Sequence, residues 1–227
     1  MVSVRLTAQL QRVKEVLATW KEADERVSRL CTTLLAQVVT LPESACSTVK
    51  LTDGLVGFLS GNFSGNTWRD EYLGVNATVN ATVKGDDGVA QMTANGVRFT
   101  GRGAGAEWPV GRQGENQLYH FANYNFTLVA TVSIHNAPKS GGVPLMGVRL
   151  EGEDKPKLME LSYDSGKNWR LLCGDGSPMK HSSDGEPATT QHVVILLRNG
   201  SQGTAYVDGQ RVGSASCELG NTDSKEI

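Results

Sequence analysis

The sequence predicts an all-β sandwich preceded by one long α-helix. Three observations support this fold class: 26 glycines, a charged fraction of only 20%, and a series of short, strand-like apolar stretches from Leu55 onward. Many turns and few charged helical faces are typical of β-sheet proteins. With 227 residues, of which 39% are hydrophobic, the chain is long enough to bury a sizeable core.

Residues 5–31 have the apolar period of a helix. Their apolar residues recur at spacings of three, four or seven and form one stripe: Leu6, Leu10, Val13, Leu17, Trp20, Val27 and Leu30. Such a helix would be about 40 Å long, which suits a connection between two bodies, although it could instead pack across its own sandwich. We therefore predict a long linker helix over residues 1–31.

Residues 32–54 have no clear period and contain Pro42 among Ser and Thr, which predicts a linker. The sandwich is then expected over residues 55–227. Short strands are predicted at 55–60, 73–83, 96–100, 118–121, 125–135, 145–150, 158–163, 168–173, 191–198 and 203–207. The run His192–Leu197, apolar after its first residue, predicts a more fully buried strand. Asp208-Gly209 predicts a tight hairpin turn with positive φ, and Asn199-Gly200 a similar turn within a longer loop.

The four cysteines are widely spaced, and none forms a CxxC pair: they are Cys31, Cys46, Cys173 and Cys217. An even count is typical of two disulfides in an oxidising compartment, although four buried thiols in a cytosolic protein would have the same count. Four cysteines allow three pairings. We favour Cys31–Cys46, which would clip the end of the helix to the segment after it, and Cys173–Cys217, which would join two later strands.

N-glycosylation sequons occur at five positions: Asn62, Asn76, Asn80, Asn125 and Asn199. Along 75–83, Asn and Thr alternate with Val and Ala. A strand would therefore place the sequon residues on one face and the apolar side chains on the other. We predict glycosylation at these asparagines; a merely polar strand face would show the same alternation.

The segment Ser162-Tyr163-Asp164-Ser165-Gly166-Lys167-Asn168-Trp169 fits the S-x-D-x-G-x-x-W "Asp box" found in sialidases. We expect Asp164 and Ser165 to cap a turn, Gly166 to supply a positive φ, and Trp169 to anchor the turn from below. Because the motif occurs once, we favour a hairpin turn within the sandwich over a blade of a propeller.

Three arginines, Arg98, Arg102 and Arg112, surround a glycine-rich segment that ends in Glu107-Trp108-Pro109. Guanidinium groups bind carboxylates through paired hydrogen bonds, and an indole ring can serve as a stacking platform. Arg102, Trp108 and Arg112 are therefore candidate ligand-binding residues. The alternative is a solvated loop with one structural Trp.

Composition and motifs exclude several classes of function. The net charge of −2, without basic runs, argues against nucleic-acid partners. No apolar stretch is long enough to span a bilayer, and neither a secretory signal nor a lipid-anchor tail is evident. The four histidines are scattered, and no motif predicts a metal site, a cofactor or a catalytic residue.

Six segments carry a resemblance to a known family: Val16–Lys21, Leu55–Ser60, Glu107–Val110, Gly114–Asn123, Phe126–Ala130 and Tyr206–Gly209. Together they resemble the trypanosome trans-sialidase superfamily of surface glycoproteins, over essentially the whole chain. The resemblance implies a connecting helix followed by a lectin-like jelly-roll sandwich of the concanavalin A or laminin-G type. It also implies that the chain stops before the family's last strands.

In that family the sialidase residues belong to an N-terminal β-propeller, and no position here matches them. The resemblance therefore implies a non-enzymatic chain, extracellular at the cell surface in the intact protein. Its implied role is adhesion to host glycans or matrix glycoproteins, together with support of the propeller as its partner domain. The alternative is an accessory domain of an active sialidase or trans-sialidase whose propeller is absent from this chain.

Overall fold

The computed structural model describes residues 54–71, 75–80, 88–93, 96–109, 125–150, 157–174, 179–182, 191–214 and 216–219, together with residues 10, 11, 14, 17, 18, 21 and 25. They belong to two compact units, Met1–Trp108 and Pro109–Ile227. The described strands are β1 (Leu59–Ser64), β2 (Thr67–Asp70), β3 (Ala77–Asn80), β4 (Val89–Thr93), β5 (Gly96–Thr100), β6 (Gly105–Glu107), β7 (Asn125–Ser133), β8 (Gly142–Arg149), β9 (Lys157–Asp164), β10 (Asn168–Cys173), β11 (Met179–Ser182), β12 (Gln191–Asn199), β13 (Gln202–Val207), β14 (Gln210–Arg211) and β15 (Cys217–Glu218).

The first unit contains a four-stranded antiparallel sheet in the order β1-β2-β3-β6 and a separate β4-β5 hairpin. In β3, Ala77 and Val79 are 1% and 2% exposed, whereas Thr78 between them is exposed. Successive side chains of a strand point to opposite faces, so the sequon residue Thr78 lies opposite the apolar pair. This is the arrangement predicted for the segment.

The second unit is a sandwich of two antiparallel sheets. One sheet has the order β11-β10-β9-β8; the other has the order β14-β13-β12-β7, with β15 beside β13. Buried side chains from both sheets form one apolar cluster, which includes Met159, Leu161, Trp169 and Leu171 from the first sheet and Val194, Leu196, Ala205 and Val207 from the second. The all-β sandwich predicted from the sequence is confirmed.

Strand β12 shows how the sequence directs this packing. His192, Val194, Leu196 and Arg198 are buried, whereas the residues between them are exposed or half-buried, and Val193 is 45% exposed. The prediction of a more fully buried strand was wrong, because only one face of β12 is buried. The sandwich packs against one face of this sheet, so an apolar run alone does not reveal whether the second face is covered.

The predicted long helix is not supported by the described residues. Seven residues of the segment 1–31 are described, and they have helical backbone, but no helix with defined ends lies in the described part of the chain. Leu10 and Leu17, both in the predicted apolar stripe, are 56% and 53% exposed. Residues 32–53 lie outside the described residues, and the boundaries 1–31, 32–54 and 55–227 stay predictions.

Of the two turns predicted from the dipeptides Asp208-Gly209 and Asn199-Gly200, the structure agrees fully with the first. Asp208 and Gly209 have φ angles of 49° and 80° and connect β13 to β14, as predicted. At the other turn, Asn199 pairs with Gln202 across the strands, so only Gly200 and Ser201 form the loop. The expected longer loop was wrong, because Asn199 belongs to the strand and the positive φ falls on Gly200.

The strands predicted at 96–100 and 168–173 have the observed bounds. Six of the described strands were not among those predicted: β2, β4, β6, β11, β14 and β15. They are short and lack a clear apolar alternation, so their strand conformation depends on pairing with neighbouring strands. The strand predicted at 118–121 lies outside the described residues.

Candidate functional site

Two of the three candidate ligand-binding residues, Arg102 and Trp108, lie next to β6. Arg102 is exposed in the bend that follows β5, and Arg98 is exposed within β5. Trp108 is half-buried directly after β6, and its indole N–H donates to the Val75 carbonyl at 2.7 Å. This edge of the ring therefore ties two segments of the first unit together. Arg112 lies outside the described residues, and ligand binding by these residues stays a prediction.

The Asp box forms the turn between β9 and β10, within the sandwich. Asp164 is 7% exposed, and its Oδ1 accepts from the backbone N–H groups of Gly166 and Asn168, both at 2.9 Å. The Asn168 Nδ2 donates to the same oxygen at 3.1 Å. The hydrogen bond from the Asn168 amide is the main cause that holds the pKa of Asp164 below its ordinary value; burial opposes it. The prediction of a hairpin turn is confirmed.

The expected role of Gly166 was wrong. The positive φ of 61° belongs to Lys167, and Gly166 is needed for space. A Cβ at position 166 would lie 2.8 Å from Asn168 Nδ2 and 3.2 Å from Asp164 Oδ1. The hydrogen bonds that close the turn therefore exclude a side chain at 166. Trp169 is 1% exposed and anchors the turn in the core, as expected.

A second polar cluster, which pairs the buried His192 with the exposed Asp208, joins β12 to the β13–β14 turn. His192 is 8% exposed, and its Nδ1 lies 2.7 Å from Asp208 Oδ2, while Asp208 Oδ1 accepts from the Val193 N–H at 2.8 Å. Partial burial raises the pKa of Asp208, but the hydrogen bonds from His192 and Val193 outweigh it and lower the pKa. The His192 ring also packs edge-on against Trp169, with ring centroids 5.3 Å apart.

A third cluster, in the first unit, was not identified from the sequence. Asp70 is 2% exposed, and its Oδ1 accepts from the Phe58 N–H at 2.7 Å. The neighbouring Glu71 Oε1 accepts from Ser60 Oγ and Asn62 Nδ2, both at 2.9 Å. A short sequence motif could not predict these hydrogen bonds, because the bonded residues are separated by nine to twelve positions.

Of the predicted disulfides, Cys173–Cys217 is present, with Cα atoms 6.1 Å apart. Cys173 ends β10 and Cys217 begins β15, so the bond links the two sheets of the sandwich. Cys31 and Cys46 lie outside the described residues, and their pairing stays a prediction.

The five sequon asparagines lie in or beside strands. Asn76, Asn125 and Asn199 are exposed, whereas Asn62 and Asn80 are half-buried. Asn125 and Asn199 face each other directly across β7 and β12. The Asn125 Oδ1 accepts from the Gly200 N–H at 2.8 Å, and the Asn76 Oδ1 accepts from the Asp70 N–H at 3.0 Å.

Within the described residues, no three His, Cys, Asp or Glu side chains gather closely enough to hold a metal ion. The part of the chain with described coordinates also contains no helix long and apolar enough to cross a membrane.

Comparison with known proteins gives consistent matches. Residues 51–227 match the family model of the trans-sialidase C-terminal domain. A sialidase of Trypanosoma cruzi is 33% identical over 210 residues, which cover 92% of this chain and 17% of the relative. Sialidase 85-1.1 of the same organism is 33% identical over 223 residues, covering 98% of this chain and 26% of the relative. The chain thus spans a minor part of either relative.

Among solved structures, the chain is similar to a mutant of Trypanosoma rangeli sialidase displaying trans-sialidase activity. The TM-score is 0.71 and the sequence identity is 38%, over 97% of this chain and 32% of that one. Since the family model covers most of the sequence, including both sheets of the sandwich, the chain belongs to the trans-sialidase family, whose C-terminal domain it contains.

Proposed function

We propose that this chain is a non-catalytic, lectin-like module of a trans-sialidase-family surface glycoprotein. In the intact extracellular protein it would support the N-terminal propeller and contribute adhesion to host glycans or matrix glycoproteins. The proposal extends to a jelly-roll arrangement of the concanavalin A or laminin-G type, preceded by a linker helix. The match of residues 51–227 to the C-terminal domain supports this module assignment.

The observation that carries the non-catalytic assignment is the use of three hydrogen-bonded carboxylates, those of Asp70, Asp164 and Asp208. A glycosidase needs a general acid whose pKa is raised, next to a second carboxylate that flanks the sugar. Asp164 and Asp208 instead have lowered pKa values, because they accept hydrogen bonds from backbone amides and, for Asp208, from His192. Asp70 likewise accepts from a backbone amide. We therefore assign these carboxylates a structural role, in which they accept hydrogen bonds that stabilise the folded chain.

The outer face of the β7–β12–β13 sheet supports a binding role. We define this outer face by Thr127, Val129, Thr131, Val193 and Ile195. Val129 and Val193 are 57% and 45% exposed, and Ile195 lies between Val129 on β7 and Tyr206 on β13. A mixed apolar and hydroxyl surface of this kind is typical of contacts with proteins or sugars.

A second candidate function is favoured by the structural match to an active sialidase. In this alternative, the module stabilises and orients a catalytic domain and binds no ligand of its own. The two functions differ in whether the isolated chain binds glycans or matrix proteins.

The test is a binding measurement on an array of sialylated and non-sialylated glycans and matrix proteins, using the oxidised, glycosylated full chain. The same sample is assayed for hydrolysis of a fluorogenic sialoside. We expect saturable binding without hydrolysis. Turnover of the sialoside would overturn the non-catalytic assignment, and absence of binding would favour the accessory function.

Four variants locate the binding residues. Arg102→Ala and Arg112→Ala remove candidate ligand cations, and Lys139→Ala removes an exposed cation elsewhere as a matched control. Trp108→Phe keeps an aromatic ring but loses the hydrogen bond to Val75. If Arg102 and Arg112 bind the ligand, the two arginine variants lose affinity, whereas Lys139→Ala and Trp108→Phe retain it.

A further inference from the structure

We propose that Asn76 and Asn125 carry N-linked glycans in the secreted, folded protein and that Asn62 does not. The three sequons differ in which atom of the amide is held by the protein. In Asn76 and Asn125 the oxygen is held by a backbone N–H. In Asn62 the nitrogen is held by the carboxylate of Glu71.

The orientation of these amides follows from their partners. A backbone N–H can only donate, so it requires the amide oxygen, and a carboxylate can only accept, so it requires the amide nitrogen. With Oδ1 tied to the backbone, the Nδ2 of Asn76 and of Asn125 lies on the opposite side of the amide group. Both side chains are exposed. A sugar on Nδ2 would therefore leave the hydrogen bond of Oδ1 intact.

The hydroxyl residues of these two sequons also face outward. Thr78 and Thr127 are exposed, while Ala77 and Phe126 between sequon positions lie on the opposite, more buried face. Asn125 and Thr127 both belong to β7, where residues i and i+2 share a face. Asn76 directly precedes β3, and both Asn76 and Thr78 are exposed. Both sequons thus present an exposed Asn together with an exposed Thr.

Asn62 has the reverse arrangement. It is half-buried, and its Nδ2 lies 2.9 Å from the same Glu71 Oε1 that accepts from Ser60 Oγ. A sugar on Nδ2 would replace one of its two N–H groups beside the carboxylate, and the sugar ring would crowd the contact that joins β1 to the end of β2. Glycosylation at Asn62 and the folded arrangement of this hairpin therefore oppose each other.

The transfer requires a donor of one chemical class, an oligosaccharide linked through its anomeric carbon to a lipid pyrophosphate. The Asn Nδ2 forms the new bond to the anomeric carbon, and the bond from that carbon to the pyrophosphate oxygen breaks. The lipid pyrophosphate leaves with the electron pair of that bond, and Nδ2 loses one of its two protons. The product is a secondary amide whose Oδ1 still accepts a hydrogen bond.

The test is site occupancy in the wild-type chain, secreted behind a leader from a eukaryotic host. Enzymatic deglycosylation in ¹⁸O water, followed by peptide mass spectrometry, gives the occupied fraction at each sequon. We expect occupancy at Asn76 and Asn125 to exceed that at Asn62, whose amide nitrogen the folded hairpin holds against the Glu71 carboxylate. Equal occupancy at Asn62, or an empty Asn76 or Asn125, would overturn the proposal.

The same proposal can be tested with matched variants, because the intact mass of each variant shows how many glycans it carries. Thr78→Ala and Thr127→Ala abolish a sequon while keeping the Asn and its hydrogen bond, and each should remove one glycan. Ser64→Ala abolishes the Asn62 sequon and should leave the mass of the attached glycans unchanged. Loss of a glycan in Ser64→Ala, or no loss in either Thr variant, would contradict the proposal. The outcome does not depend on whether the module binds a ligand.

Discussion

At the scale of single residues, two aspartates close turns of the sandwich through hydrogen bonds. Asp164 closes the β9–β10 turn because its Oδ1 accepts three hydrogen bonds from Gly166 and Asn168. Asp208 closes the β13–β14 turn and orients His192. Both are acidic residues at turns, and both carry a lowered pKa because their charge is stabilised by hydrogen bonds in the folded state.

Replacing Asp164 by Ala should destabilise the protein. The change leaves the amides of Gly166 and Asn168 without their acceptor, which costs about 1–3 kcal/mol. Urea denaturation followed by far-UV circular dichroism measures the loss. Ser165→Ala, at the exposed neighbouring position, is the control and should stay within about 0.5 kcal/mol of wild type. Equal stability of Asp164→Ala and wild type would refute this role.

The same carboxylates predict a loss of stability in acid. Their folded pKa values are lower than the unfolded value of about 4, so the unfolded state binds protons first as the pH falls. The stabilisation is therefore complete above about pH 5 and declines through the folded pKa values. Melting curves between neutral pH and pH 3 test this. Asp164→Asn should show a shallower decline than wild type, and an identical pH profile would contradict the assignment.

At the scale of elements, turn chemistry and strand alternation account for most of what could be predicted from the sequence. Asp208-Gly209 specifies its hairpin, and the alternation along 125–133 specifies β7. In contrast, β6 has only three residues, Gly105–Glu107, and no apolar alternation. Its conformation depends on pairing with β3, which a local pattern does not contain.

In the candidate site, too, the sequence predicts local features but not contacts between distant positions. The Asp box and the pairing of Cys173 with Cys217 were found from a motif and from spacing. The contacts from Trp108 to Val75 and from His192 to Asp208 join positions 33 and 16 residues apart, and were not predicted. Such contacts form only when the strands are assembled, so the sequence identified the participating residue types without their partners.

The β13–β14 hairpin gives a prediction at this scale. Gly209 has a φ of 80°, and a Cβ there would meet no atom within 4 Å, so only backbone strain opposes a side chain. Gly209→Ala should therefore cost about 1 kcal/mol and lower the melting temperature. Gly142→Ala in β8, where φ is not positive and the new Cβ would make ordinary contacts, is the control. A Gly209 variant as stable as the Gly142 variant would contradict the turn assignment.

At the scale of the whole molecule, the sandwich is stabilised by one apolar core and by a covalent link between its sheets. The Cys173–Cys217 bond closes a segment of 44 residues, which restricts the unfolded chain. The burial of both cysteines, 7% and 9% exposed, places the link beside the core. The stability of the sandwich should therefore depend on oxidation.

Removing this link should lower stability by about 2–4 kcal/mol. The paired variant Cys173→Ala/Cys217→Ala and wild type treated with reductant should melt at similarly reduced temperatures, measured by calorimetry. The variant should be insensitive to reductant if Cys31 and Cys46 contribute nothing. An unchanged melting temperature in the paired variant would show that the bond does not stabilise the sandwich.

The burial of Trp169 has a spectroscopic consequence. It is the one Trp among residues 109–227 of the sequence, since the other three, at positions 20, 68 and 108, all precede it. Its ring lies in the core against the His192 ring, so its emission should be short in wavelength. In a chain whose other Trp residues are replaced by Phe, the emission colour would therefore follow the opening of the sandwich alone.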